Sequence, residues 1–203
     1  MTIEYDPAVV NLGVRYARLG YLTPFESGYT LTVGDRTGGE KRGAKLTPAY
    51  HRVISSLDPT VDDREFVAEE LGLLGWLAGQ GFIAVVQRDA GLDDLTMIPV
   101  PRREMAFVED LDEGYLLRVV DEEPFAVSEL GARFIPLVDG ERTLGQIAEI
   151  VKSEILADPE ERVTVEQNEK DQGRPFDSFL VEEALVLIRD FATSQAITFE
   201  PAA

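Results

Sequence analysis

Residues 115–151 read YLLRVVDEEPFAVSELGARFIPLVDGERTLGQIAEIV, and the order of elements they spell decides how the chain is read. Tyr115–Val120 alternates apolar and polar side chains well enough for a half-buried strand. Asp121-Glu122-Glu123 supplies a turn, and Pro124–Val127 a second short strand. Pro124 confines that strand to a sheet edge, because proline has no N–H to give to a ladder. Ser128 then caps a helix with Leu130, Phe134, Leu137 and Val138 facing inward, ended by Asp139-Gly140. Thr143 and Gln146 stand at capping-box spacing before a second helix, whose stripe is Leu144, Ile147, Ala148, Val151 and Ile155.

Working outward, Met97–Val100 and Arg103–Val108 are extended segments ahead of this unit. Behind it, residues 157–177 are highly polar and hold two prolines and a glycine, which predicts an exposed, mobile loop. A last helix over Ser178–Ser194 buries Leu180, Ala184, Leu187, Ile188 and Phe191, and Ile197–Phe199 forms a closing strand. The polar, aperiodic stretch 87–96 is the expected linker to an upstream domain.

That upstream part opens with a loose lead-in over residues 1–12 and strands over Val14–Leu22 and Tyr29–Val33, with PFESG as the turn between them. GDRTGGEKRG, residues 34–43, makes a hairpin tip, with a weak strand around Glu40–Ala44. Thr47 and Pro48 start a helix cleanly, since proline's missing N–H costs nothing at the first helical position. Its apolar face is Tyr50, Val53, Ile54 and Leu57, and Asp58-Pro59 ends it. A further helix opens at Asp62 with Glu65 three residues on, buries Phe66, Val67, Leu71, Leu74 and Leu77, and stops at Gly79 and Gly81. Trp76 is expected in the core. Phe82–Val86 is a short buried strand.

The two parts can be laid on each other. At an offset of 81, Thr47 meets Ser128, Ile54 meets Ile135, Leu57 meets Val138 and Asp58 meets Asp139. At an offset of 114, Val67 meets Val181, Leu71 meets Leu185, Leu74 meets Ile188, Leu77 meets Phe191 and Ile83 meets Ile197. This predicts a duplicated plan: an α+β fold of two tandem winged-helix-like domains, residues 1–90 and 97–203, each a small antiparallel sheet with two to three helices.

Composition narrows function. With 44% hydrophobic and 28% charged residues, the 203-residue chain has the material for a packed core. It has no cysteine and one histidine, His51, which leaves out thiolate metal sites and most triad arrangements. No signal peptide is evident in MTIEYDPAVV, no stretch is apolar enough to span a membrane, and a cytoplasmic location is expected. Net charge is −19, and residues 101–203 carry 24 acids against 10 bases. Such a surface repels nucleic-acid phosphates and anionic lipid, so neither is expected as a partner. It serves solubility, or it attracts a basic partner protein or peptide. Adjacent carboxylates such as Asp62-Asp63, Glu122-Glu123 and Glu182-Glu183 point apart on a helix and read as solvated faces. Loop 158–171 lacks EF-hand spacing, and residues 34–43 lack a phosphate-loop pattern. No enzyme, metal or cofactor is expected.

The second part resembles the PqqD-like family, also called the RiPP recognition element. The residues that carry the resemblance are Asp139, Gly140, Arg142, Thr143, Ile147 and Ile150, in the order strand, strand, helix, DG turn, helix and leucine-rich last helix, over about residues 103–200. The loop over 157–177 is longer than that pattern has. The resemblance implies non-catalytic peptide recognition, in which the leader of a ribosomally made precursor adds as a strand to a sheet edge and lies against the last helix. Here the edge would be Glu123–Val127, with Phe125 and Val127 in contact, and the groove wall Leu180, Ala184, Leu187 and Phe191. Each of these side chains also fits a plain core role. A structural adaptor in a larger assembly, as a homodimer or a hetero-complex, is the alternative. A winged-helix regulator of nucleic acid ranks lower because of the charge.

Overall fold

The computed structural model describes residues 14–25, 27–33, 42–61 and 65–201. The expected lead-in over 1–12, most of the hairpin tip over 34–43 and the helix start at Asp62 lie outside the described residues. Among the described residues the fold is α+β, with four small antiparallel sheets and six α-helices.

The element order of the first half recurs in the second, which carries two additional helices before the last one. In the first half, β1 (Val14–Arg18) precedes a three-stranded sheet of β2 (Tyr21–Phe25), β3 (Gly28–Val33) and β4 (Arg42–Leu46). Helices α1 (Pro48–Ser55) and α2 (Ala68–Gly79) follow, and β5 (Ile83–Gln87) returns to pair with β1. In the second half, β6 (Met97–Pro101) precedes the sheet of β7 (Met105–Leu111), β8 (Gly114–Val119) and β9 (Phe125–Val127). Helices α3 (Glu129–Phe134), α4 (Leu144–Ala157), α5 (Pro159–Gln172) and α6 (Phe176–Ser194) follow, and β10 (Ile197–Pro201) pairs with β6.

The local chemistry repeats with the order. Thr47 accepts a hydrogen bond from the Tyr50 N–H, and Ser128 from the Gly131 N–H, each capping the helix after its sheet. Asp58 accepts from the Thr60 N–H at 2.9 Å and Asp139 from the Glu141 N–H at 2.9 Å, so both helices give way to the same carboxylate-stabilised turn. Leu71 and Leu185, Leu74 and Ile188, Leu77 and Phe191, and Ile83 and Ile197 are all buried. Val67 and Val181 are not equivalent: Val67 is exposed at the N-cap of α2 and Val181 lies in the core.

One cluster of buried apolar side chains runs through both halves, from Tyr16 and Leu19 to Phe191 and Phe199. The Phe199 N–H donates to the Leu19 carbonyl at 2.9 Å, so the closing strand of the second half is tied to the end of β1. Across the β6–β10 pair, Arg102 donates to Thr198 Oγ1 at 2.8 Å and to Glu200 Oε1 at 2.9 Å.

The structure corrects several expectations. Segment 87–96 is not a loose linker: Leu92 and Leu95 are buried, a 3-10 turn spans Leu92–Asp94, and the Leu95 carbonyl accepts from the Gly145 N–H of α4 at 3.0 Å. Residues 157–177 are not a loop but mostly helix α5, started by Asp158, which accepts from the Glu160 and Glu161 N–H groups, and ended by Gly173 at φ +65°. Its polarity hid it, because Val165 is its one buried residue. Helix α2 starts at Ala68, with Glu70 reaching back to the Val67 N–H, and residues 65–67 are not helical. Trp76 is 53% exposed, lying over Phe82 on the outward flank of α2.

The expected strand over Val14–Leu22 is two strands. The chain bends at Gly20, where any Cβ would stand 2.0 Å from the Thr32 carbonyl oxygen. Strand β2 runs through Pro24 into Phe25, which sheet order allows because β2 is an edge. The helix ahead of Asp139 stops at Phe134 and tightens into a 3-10 turn over Ile135–Leu137, with Pro136 inside it.

Candidate functional site

The sheet β7–β8–β9 carries two of the six expected binding residues, Phe125 and Val127, both on β9. Its central strand β8 turns Leu117 and Val119 into the core, together with Val127 of β9. Phe125 is half-buried and meets the Phe191 ring edge-on at 5.6 Å between centroids. The β8–β9 turn holds Asp121 at φ +67°, a left-handed conformation that aspartate tolerates better than most residues. Gly114 closes the β7–β8 turn at φ +122°, and a Cβ there would stand 2.2 Å from the Val127 carbonyl oxygen.

Helices α3 and α6 back this sheet. Ser128 accepts from the Gly131 N–H and donates its own hydroxyl to Glu183 Oε1 at 2.7 Å, which fastens the start of α3 to α6. Burial pushes the Glu183 carboxyl above the usual carboxylate range, and Asp190 adds to this; the Ser128 hydrogen bond and Arg189 act the other way.

The six expected contact residues divide into two groups. Phe125 and Val127 lie on β9 as expected, on an edge that pairs only with β8 among the described residues. Leu180, Ala184, Leu187 and Phe191 lie together along α6, but all four are buried. They belong to the shared core, and Phe125 is packed down onto Phe191. Strand β9 is three residues long, and Pro124 ahead of it has no N–H to offer.

The opposite edge is β7, where the sequence predicts only an extended segment over Arg103–Val108. Ala106 through Leu111 are exposed without a break, including Phe107 at 42%, Val108 at 40% and Leu111 at 38%. The register with β8 shifts between Phe107 and Glu109, so Val108 is an extra residue in a bulge. The signal for this edge was present in the sequence: AFVEDL places apolar residues on both faces of one strand beside carboxylates, a pattern that suits a strand wet on both sides. Between Glu104 and Glu123 stand eight carboxylates and a single base, Arg118.

Elsewhere the chemistry is sparse. Ser55 Oγ and His51 Nε2 are 3.0 Å apart on α1, with the imidazole stacked on Tyr29, and among the described residues no carboxylate hydrogen-bonds to that ring. A cleft of about 570 Å³ is lined by Arg15, Arg88, Asp89, Arg174, Ser178 and Glu182, where Arg174 and Glu182 form an ion pair at 2.7 Å. Among the described residues no cluster of three His, Asp or Glu side chains is placed to hold a metal ion, and no helix is long and apolar enough to cross a membrane. Compared with protein families, curated proteins and solved structures, the chain matches none.

Proposed function

We propose that the protein recognises an extended peptide or protein segment without catalysing a reaction, using the sheet β7–β8–β9. The observation that carries this reading is the sheet itself. It is three strands wide, backed by α3 and α6, and among the described residues neither outer strand pairs with a further strand. Unpaired edge strands present a row of N–H and C=O groups, and a partner satisfies such a row by adding a strand. The order of sheet and helices agrees with the winged-helix outline of the RiPP recognition element, with α5 as an insertion ahead of the last helix. In its specific form, the reading is a cytoplasmic protein that holds the leader of a ribosomally made precursor and presents it to a modifying enzyme.

The test is affinity capture, with the full chain as bait, of the precursor peptide or modifying enzyme encoded beside it. Association with either supports the reading, and association with neither removes its specific form. A structural adaptor remains the second reading, supported by the duplicated element order, which offers two similar sheets to partners. The mass of the native complex separates the two: an adaptor elutes within a large stable assembly, and a peptide binder elutes alone. A nucleic-acid role is disfavoured because the β7–β8 hairpin, which would act as the wing, is lined with carboxylates.

A further inference from the structure

The two edges of the sheet are not equivalent. Strand β9 offers three residues, has Pro124 in front of it, and has its one large side chain, Phe125, packed on Phe191. Strand β7 offers seven residues, six of them exposed in succession. The Val120 N–H donates to the Glu104 carbonyl at 3.2 Å, which places residues 104 and 120 in a hydrogen-bonded pair. Antiparallel pairs alternate, so Met105 and Phe107, opposite Val119 and Leu117, turn their own N–H and C=O groups away from β8 to the free side. Phe107 and Val108 stand exposed on the same strand, available to the side chains of an incoming one.

Charge decides what can come in. Glu104, Glu109, Asp110, Asp112 and Glu113 lie along this hairpin, and Asp121, Glu122 and Glu123 lie at its other end, against Arg118 and Arg103, the latter paired with Glu122 at 2.9 Å. A second copy of the chain pairing through β7 would bring Glu109 and Asp110 close to their own counterparts. An acidic peptide or a nucleic acid would meet the same repulsion. An extended segment bearing Lys or Arg would gain at each step.

We propose that the free edge of β7 accepts a strand from a partner protein, and that this strand is basic, with apolar residues alternating with Lys or Arg. The proposal rests on the recognition reading above and assigns it an edge and a partner chemistry. The apolar positions lie on the face of Phe107, the basic ones on the opposite face with Glu104 and Glu109, and the backbone pairs with Met105 and Phe107.

The experiment uses the full chain and two labelled ten-residue peptides. One alternates Lys or Arg with Val or Ile, and the other carries Glu in place of every base. Fluorescence anisotropy at low salt is expected to show binding of the basic peptide alone, weakening as salt rises. N-methylation of alternate residues of the basic peptide, on the side that would pair, is expected to abolish binding. The double variant Glu104→Lys with Glu109→Lys changes only exposed side chains on one face of the β7 edge. It is expected to weaken the basic peptide about tenfold, the scale of two exposed ion pairs replaced by repulsion. Amide exchange is expected to slow at Met105 and Phe107 when the basic peptide is present. Slowing at Ala126 instead, with the double variant silent, overturns the β7 assignment and leaves peptide recognition standing. Binding of neither peptide overturns the proposed edge and chemistry, while capture of the encoded partner still decides the broader reading. Protection of β7 without peptide in a chain that elutes as a dimer gives the edge to a second copy and also overturns the proposal.

Discussion

Glu183 sits where its charge is least welcome, between α3 and α6, with Ser128 as its donor. Its folded pKa is raised, first by burial, so the protonated form fits the fold better than the ionised one. The contribution of such a group is fully present below its unfolded pKa and is lost as pH rises through the folded value. At neutral pH the carboxylate therefore works against the fold. Glu183→Gln keeps an acceptor for the Ser128 hydroxyl and removes the charge. Its Tm is expected to exceed that of the parent at neutral pH and to equal it in mild acid. Calorimetry at both pH values checks this, and an equal shift at both would refute the assigned cause. Gly114 is constrained in a different way, by its φ of +122° and the Val127 carbonyl beside it. Gly114→Ala is expected to cost at least about 2 kcal/mol in urea unfolding, through backbone strain and displacement of β9. A cost near zero would mean that the turn can reclose without that conformation.

Helix α5 shows what keeps an element folded when it has almost no apolar face. Val165 is its single buried residue, and its ties include the Arg133–Glu161 pair and Glu169 Oε1, which accepts from the Phe176 N–H at 2.6 Å. With so little packing, its cap carries an unusual share of its stability. Asp158→Ala is expected to cost about 1 kcal/mol and to speed amide exchange across the first turn of α5 more than in α4. Uniform exchange in the variant would show that the ion pairs hold the helix instead. The same element marks where sequence reading stops. Capping at Thr47, Ser128 and Thr143 was legible because a cap and the helix after it lie within four residues, and all three caps occur where expected. Asp158-Pro159 carried the same signature, and it was outweighed by the missing apolar period. Strand partners were illegible for a different reason. β6 and β10 are nearly a hundred residues apart, and nothing in either strand names the other. The α6 residues are apolar and inward, as their period predicts, but periodicity does not separate an open groove wall from buried core.

At the scale of the whole molecule, the question is whether two copies of one plan behave as two units or one. The element order is duplicated, yet the buried cluster is shared. Leu19 at the end of β1 and Phe199 in β10 are both buried, and a backbone hydrogen bond joins them. Leu95, between the halves in sequence, is fully buried and bonded to the start of α4. Neither half can therefore unfold without stripping apolar contacts from the other. Thermal unfolding is expected to be a single transition, with calorimetric and van't Hoff enthalpies equal. Because the net charge is −19, added salt should raise its midpoint by screening self-repulsion. Phe199→Ala supplies the sharper test, since it leaves the first half untouched in sequence and removes a buried ring at the junction. It is expected to cost about 3–5 kcal/mol. Trp76, the sole tryptophan and a probe on α2 of the first half, should then report the same lowered midpoint as amide exchange in α4 of the second. If Trp76 fluorescence keeps its original midpoint while α4 loosens, the halves are independent and the shared core does not couple them.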